Sequence, residues 1–338
     1  MKMGSWYDDD ALLDHYLERL GASQGAVPQV PGYAEIRLVS TGGQGVVYSG
    51  LRLDDGREVA LKLFSRKGFR WSLGEGRLEH EAASLASLDH PGIVRVLELV
   101  EDAQGRTVMV MEWMDGGSLS EQLPFGPRSM RYPGLSSWVG CVLQVAEAVE
   151  AAHQAGVFHR DLKPSNVLLG SGDRPKVADF GIGLGPIERE DRLTRSGVVL
   201  GSLAYAAPEQ LVPASASSAC INRASLAAID VYGLGGILYE GLTGSPPHAL
   251  RGDARLAVPP PPSSVRDPSW DARLEGIVMK AIAERANRRY LSAAELAADL
   301  RTWLNGERPQ ASAFGPIQLM AWHLRHGLRP RRLRRGPS

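Results

Sequence analysis

Residues 158–169 read FHRDLKPSNVLL, and residues 176–181 read KVADFG. The first stretch sets an acid, Asp161, and a carboxamide, Asn166, on one short loop, with Lys163 between them. The second ends in Asp179 and Gly181. Two carboxylates and an amide oxygen are hard donors, the kind that hold Mg²⁺ in the company of phosphates. A lysine beside them can neutralise charge on a phosphoryl group in transfer. These residues suit phosphate chemistry assisted by a hard cation.

The chain around them divides by pattern. From 33 to about 112, the runs YAEIRLV, GVVYSGL, EVALKLF, VRVLELV and TVMVMEW are short and β-branched. Turn residues such as Asp54-Asp55-Gly56 and Ala103-Gln104-Gly105 separate them, which predicts strands. One helical segment interrupts at roughly 75–88, with Leu78, Ala82 and Leu85 as its apolar stripe. After 116 the period becomes helical. Residues 135–155 place Trp138, Val142, Val145, Val149 and Ala152 on one face, and Gly156 reads as a stop. Residues 230–243 predict a buried helix ending at Gly244. Residues 292–304 open with the capping box Ser292-x-x-Glu295 and turn Leu296, Leu300 and Trp303 inward. The Pro-rich run VPPPPS, 258–263, reads as a surface connector. The expected fold class is α+β and bilobal: a small antiparallel β lobe with one helix, then a larger α-helical lobe. The cleft between them is the expected ligand site.

Composition sets outer bounds. The 338 residues are 43% hydrophobic and 22% charged, values of an ordinary globular protein, and the formal net charge is zero. The overall balance therefore points to no particular partner. Charge is nevertheless uneven: no acidic residue follows Glu307, while Arg308, Arg325, Arg329, Arg331, Arg332, Arg334 and Arg335 do. Cys141 and Cys220 are too few for a disulfide framework and fit a reducing compartment. The start, MKMGSWYDDD, lacks the apolar core of a secretory signal, and no uncharged apolar run reaches the roughly 18 residues of a spanning helix. The expected location is cytoplasmic. Residues 8–20, DDDALLDHYLERL, predict a short amphipathic helix, and 21–32 a linker.

HRDLKPSN, with Asp179-Phe180-Gly181 behind it, resembles the eukaryotic-like (bacterial Hanks-type) serine/threonine protein kinases, in a planctomycete-like variant. The resemblance covers roughly residues 31–306. It implies three parts: an N-terminal extension (1–32), a kinase domain (33–306, with lobes 33–115 and 116–306) and a basic C-terminal extension (307–338). It implies that Asp161 is the catalytic base orienting a substrate hydroxyl, that Lys163 steadies the γ-phosphate, and that Asn166 and Asp179 hold Mg²⁺ (or Mn²⁺). Lys62, in VALK, would contact the α- and β-phosphates, and Glu81, in HEAASLASLDHP, would be its ion-pair partner. Gly42, Gly43 and Gly45, in VSTGGQGVVYSG (39–50), would let backbone N–H groups close over the phosphates. Val47 would cover the adenine, and Ala60 joins the nucleotide-binding set. Met111 would be the gatekeeper before a hinge, Glu112-Trp113-Met114, whose backbone binds adenine. Ala207-Pro208-Glu209 would close the activation segment, Asp230 would anchor the catalytic loop, and Arg289 would pair with Glu209. His159 is expected to support the loop rather than move protons. Arg160 would meet a phosphate placed on Thr194 or Ser196.

The implied activity is transfer of the ATP γ-phosphoryl group to Ser/Thr hydroxyls of protein substrates, with autophosphorylation and self-association to allow it. The alternatives are a pseudokinase or nucleotide-binding scaffold, and a kinase-fold phosphotransferase acting on a small molecule. Against the first stands the full set of Lys62, Glu81, Asp161, Asn166 and Asp179; against the second, Lys163 and Ala207-Pro208-Glu209. Four departures from the family stand out. Ser40 occupies the first glycine position of the loop, which predicts weaker ATP affinity. Ser202 stands for threonine and Ile229 for serine. The stretch 213–227, PASASSACINRASLA, reads as an insertion. In the tail, Ile317, Leu319, Met320, Trp322 and Leu324 beside the arginines suggest attraction to anionic lipid or nucleic acid.

Overall fold

The structure is a computed structural model that describes residues 27–42, 45–64, 85–123, 134–180, 203–211, 223–248, 259–262, 271–311 and 316–325. The expectations for the 8–20 helix, Gly43, Glu81, Gly181, Thr194, Ser196, Ser202, Cys220 and the arginines beyond 325 fall outside these residues, as does most of the 75–88 helix.

Five strands form the first sheet: β1 (Tyr33–Gly42), β2 (Gly45–Arg52), β3 (Glu58–Phe64), β4 (Val96–Glu101) and β5 (Thr107–Glu112). Their order is β1-β2-β3-β5-β4, antiparallel throughout. Because successive strand residues face opposite sides, the sheet builds two different surfaces from one sequence. Val46, Tyr48, Val59, Leu61, Leu63, Val108 and Val110 join Val30 in a cluster on the outer side. Ala60, Met109 and Met111 face the other way and belong to the core of the larger lobe. Lys62 lies opposite Val47 on one side and Met109 on the other, so it shares that inner face.

The second lobe follows a short helix, α1 (Leu119–Gln122). Helix α2 (Leu135–Gln154) ends where Gly156 takes φ 82°, a left-handed stop that the sequence announces. A two-stranded hairpin, β6 (Val167–Leu169) and β7 (Pro175–Val177), comes next, then α3 (Pro208–Leu211) and α4 (Arg223–Thr243). From Ala227 to Thr243 every residue of α4 except Glu240 is buried, so this helix is the axle of the lobe. It begins at Arg223, within the stretch expected to be an insertion. Its first turns, RASLAA, carry no apolar period, yet alanine is the strongest helix former, and Ala227 and Ala228 are buried.

Two more helices complete the lobe, α5 (Ala272–Ala281) and α6 (Ala293–Leu304). On α6, Ser292 Oγ accepts the N–H of Glu295, and the Glu295 carboxylate accepts from Leu291 N–H, one residue before the expected cap partner. Helix α7 (Pro316–Arg325) ends the described chain. The Pro-rich run departs from expectation: Pro259, Pro261 and Pro262 are buried. Proline has no N–H to leave unpaired, so its apolar ring can be buried at little polar cost. Among the described residues, no helix is long and apolar enough to cross a membrane.

Candidate active site

The loop 158–166 is held from beneath. Asp230, fully buried on α4, accepts the N–H of His159 at 2.8 Å and that of Arg160 at 2.6 Å. His153, in the last turn of α2, donates to it through Nε2 at 2.8 Å. Three donors on one buried carboxylate satisfy a charge that would otherwise be costly to bury. His159 is fully buried as well. Its Nε2 lies 2.9 Å from the Ala178 carbonyl, which can only accept, so Nε2 carries the proton; Nδ1 then accepts from Asp161 N–H at 3.3 Å. Both ring nitrogens are used, as expected of a supporting residue. Gly233 lets the loop lie this close to α4: a Cβ there would stand 2.8 Å from the Leu162 carbonyl oxygen. Arg160 and Asp179 both adopt positive φ, 64° and 55°, which non-glycine residues hold only where surroundings over-determine them.

Above this footing the charged groups face the cleft. Lys163 Nζ lies 3.0 Å from Asp161 Oδ2, and Asn166 Nδ2 donates to the Asp161 carbonyl at 2.8 Å. That bond fixes the carboxamide so that its oxygen points elsewhere. Lys62 Nζ, on the inner face of the sheet, reaches Asp179 Oδ1 at 2.8 Å and so ties the two lobes together. Partial burial works to raise the Asp179 carboxyl, but Lys62 overcomes it and holds the group below its usual value. Glu81, the partner expected for Lys62, lies outside the described residues; the partner on view is Asp179. The Asn166 amide oxygen and the Asp179 carboxylate are both hard donors. They fit a cation that takes its remaining ligands from phosphate and water.

One wall of the cleft is the inner face of the sheet. Val47, Ala60, Lys62 and Met111 share it, and Met111 and Met114 are buried at the crossing to the second lobe. The Glu112 side chain is itself fixed, accepting from Lys176 Nζ at 2.6 and 2.8 Å and from Arg95 N–H at 2.8 Å. Lys176 was not singled out in the sequence, since a strand lysine is ordinarily solvated. At the glycine-rich hairpin, β1 runs as far as Gly42, whose partner is Gly45, and Gly45 takes φ 152°, a conformation open to glycine. Ser40 is inside β1, paired with Val47, and is not among the residues with positive φ. The position needs no glycine, which removes the ground for expecting weaker nucleotide binding from this serine.

The stretch Ala207-Pro208-Glu209 is bolted to the same frame. Arg289 makes a two-pronged bond to Glu209, 2.7 Å on each arm, and also donates to the carbonyls of Ala228, Ala283 and Glu284. Gln210 accepts from Ala207 N–H and donates to the Arg160 carbonyl at 2.8 Å, joining this stretch to the loop 158–166. Tyr205 Oη donates to Glu240. A recess beside Asp161 is lined by Tyr205, Ala206, Gln210, Ile229 and Gly233, so Ile229 supplies apolar wall where serine was expected. Neither His153 nor Gln210 announces itself in sequence: each acts through one contact with a residue far along the chain.

The protein kinase domain family matches residues 33–258 of this sequence. A probable serine/threonine-protein kinase of Streptomyces coelicolor is 34% identical over 286 residues, covering 82% of this chain and 40% of its own. The serine/threonine-protein kinases PknJ and PknB of Mycobacterium tuberculosis are 36% and 33% identical, over 79% and 81% of this chain. The chain spans 40–44% of the length of these curated relatives. Among solved structures, the M. tuberculosis PknI kinase domain superposes with a TM-score of 0.60 at 28% identity, over 82% of this chain and 97% of that one. The anchored HRDLKPSN loop, the lysine–aspartate bridge across the cleft and the Arg289–Glu209 clamp thus coincide with a family match over most of the chain, and the protein belongs to the protein kinase domain family.

Proposed function

We propose that this chain is a serine/threonine protein kinase that transfers the γ-phosphoryl group of ATP, taken with Mg²⁺, to hydroxyls of protein substrates. The observation that carries this reading is the pairing of Asp161 with Lys163 on a loop fixed from below by Asp230. Asp161 accepts the hydrogen of the incoming hydroxyl and aims its oxygen at the γ-phosphorus. Lys163, beside it, meets the charge spread over the phosphoryl oxygens as the bond to the leaving group lengthens. Lys62 serves the α- and β-phosphates from the sheet. Val47, Ala60 and Met111 enclose the base, and the backbone of Glu112 to Met114 reads its edge. Asn166 and Asp179 would hold the metal ion, which neutralises phosphate charge when bound. Since phosphoryl transfer needs positioning more than covalent help, the fixed loop is the main contribution of the fold.

Residues 33–306 are taken as the catalytic unit, a reading supported by the burial of Leu296, Leu300 and Trp303 of α6 in the common core. Incubation with radiolabelled ATP, Mg²⁺ and a generic acceptor such as myelin basic protein tests the proposal. Label is expected on the acceptor's Ser/Thr residues with wild type and none with Asp161→Asn. Tight nucleotide binding without transfer would make the chain a scaffold instead.

A further inference from the structure

The last described helix has two unlike sides. The chain leaving α6 is tied down first: buried Asp299 accepts the N–H groups of Gln310 and Ala311 and the hydroxyl of Tyr290. On α7, Trp322 is only 9% exposed, so its side of the helix faces protein. Ile317, Met320 and Leu324 are 77%, 60% and 75% exposed. They stand at i, i+3 and i+7, which gathers them into one stripe, and Trp322 points away from it. Trp322 therefore leaves the set expected from sequence to meet a partner; it is the inward anchor of the helix.

Three large aliphatic side chains together on a surface call for a cover. Charge decides between the candidates. Beyond Glu307 the sequence has no Asp or Glu, and six arginines stand from position 325 onward, Arg325, Arg329, Arg331, Arg332, Arg334 and Arg335. A second copy of the chain seated on the stripe would bring two such segments together, against their mutual repulsion. A nucleic acid would engage the arginines and leave the aliphatic stripe without a role. A bilayer with anionic headgroups uses both features: the stripe enters the boundary between headgroups and acyl chains, and the arginines meet the headgroup charge. We propose that α7 and the arginine-rich segment after it form an attachment site for anionic phospholipid membranes, with the helix lying in the plane of the interface.

Co-sedimentation of the full chain with phosphatidylcholine vesicles, with and without phosphatidylserine, tests this. Binding is expected to the phosphatidylserine vesicles and to be at least about tenfold weaker to neutral ones. The triple substitution Ile317→Ser, Met320→Ser, Leu324→Ser is expected to lower it at least about tenfold at constant salt. It should leave the melting temperature and retention on heparin unchanged, because the three side chains are exposed and the arginines remain. Equal partitioning between the two vesicles overturns the proposal, as does undiminished binding of the triple variant. So does a dimer that forms through the stripe and ignores vesicles. None of these readouts depends on phosphotransfer, so the site stands or falls apart from the kinase reading.

Discussion

Asp230 and Asp161 sit on either side of the same short loop and do opposite work. Asp230 is fully buried, and its oxygens are taken up by two backbone N–H groups and an imidazole. Asp161 faces the cleft, and the side-chain partner it shows is Lys163 at 3.0 Å. The same residue type is a fixture in one place and the proposed base in the other. The difference lies in the donors: backbone and ring groups below, a lysine side chain above. A second such contrast runs between Arg289, with every arm committed to Glu209 and three carbonyls, and Lys62, which meets Asp179 across the cleft proposed to admit a nucleotide.

Substitution at the two aspartates should separate these roles. Asp161→Asn keeps the shape and removes the base, so kcat is expected to fall about 10³-fold. Its melting curve should match wild type. Asp230→Ala strips three buried donors of their acceptor and is expected to cost about 3 kcal/mol of stability, read by denaturant titration. Activity loss at 230 should therefore follow unfolding. If Asp230→Ala stayed as stable as wild type, the footing argument would be wrong.

Lys62→Met sharpens the view of the cleft. Loss of the phosphate-binding cation is expected to lower kcat/KM about 10²-fold. It also has a pH signature. Lys62 keeps the Asp179 carboxyl below its usual value, against burial that pushes it up. With the lysine gone, only His159 and Lys163 oppose the burial, and the carboxyl titrates at higher pH. Any step that needs Asp179 ionised then loses its acid limb sooner, so the residual pH–rate profile should shift upward on its acid side. Lys176→Met is the milder case. It leaves the Glu112 carboxylate with the Arg95 N–H alone and loosens the strand that leads into the backbone proposed to read adenine, so KM for ATP should rise about fivefold while kcat holds. An effect on kcat alone would contradict that.

What could be read from the sequence follows from how local each feature is. The strands of the first sheet appear at nearly the expected positions, because short β-branched runs and the turn residues between them are written in consecutive residues. HRDLKPSN and Asp179-Phe180-Gly181 are compact enough to be recognised by resemblance. The hairpin β6–β7 has three residues per strand, too few to display a period. Helix α4 was expected to start at 230 because its first turns are small and unpatterned; burial of Ala227 and Ala228 extends it to Arg223. His153, Gln210 and Lys176 escaped because each matters through contact with one residue far along the chain. The tail showed its apolar residues but not their sides, and only the burial of Trp322 divides them.

Ser40→Gly is the smallest expected effect and the most pointed comparison between sequence pattern and structure. By pattern, serine here replaces the first glycine of a phosphate-covering loop, and restoring glycine should tighten ATP. By structure, Ser40 is a strand residue paired with Val47, two residues short of the Gly42–Gly45 turn. The conformational demand falls instead on Gly45, at φ 152°. A glycine at 40 would add backbone freedom to the unfolded chain and nothing to the turn. The expected outcome is a loss of about 0.5 kcal/mol in stability with KM for ATP within about twofold of wild type. Gly45→Ala, by contrast, forces a Cβ into a conformation that L-residues rarely adopt, and should raise that KM more than Ser40→Gly changes it. Equal effects at the two positions would mean that the glycine pattern, and not the strand register, sets the shape of the clamp.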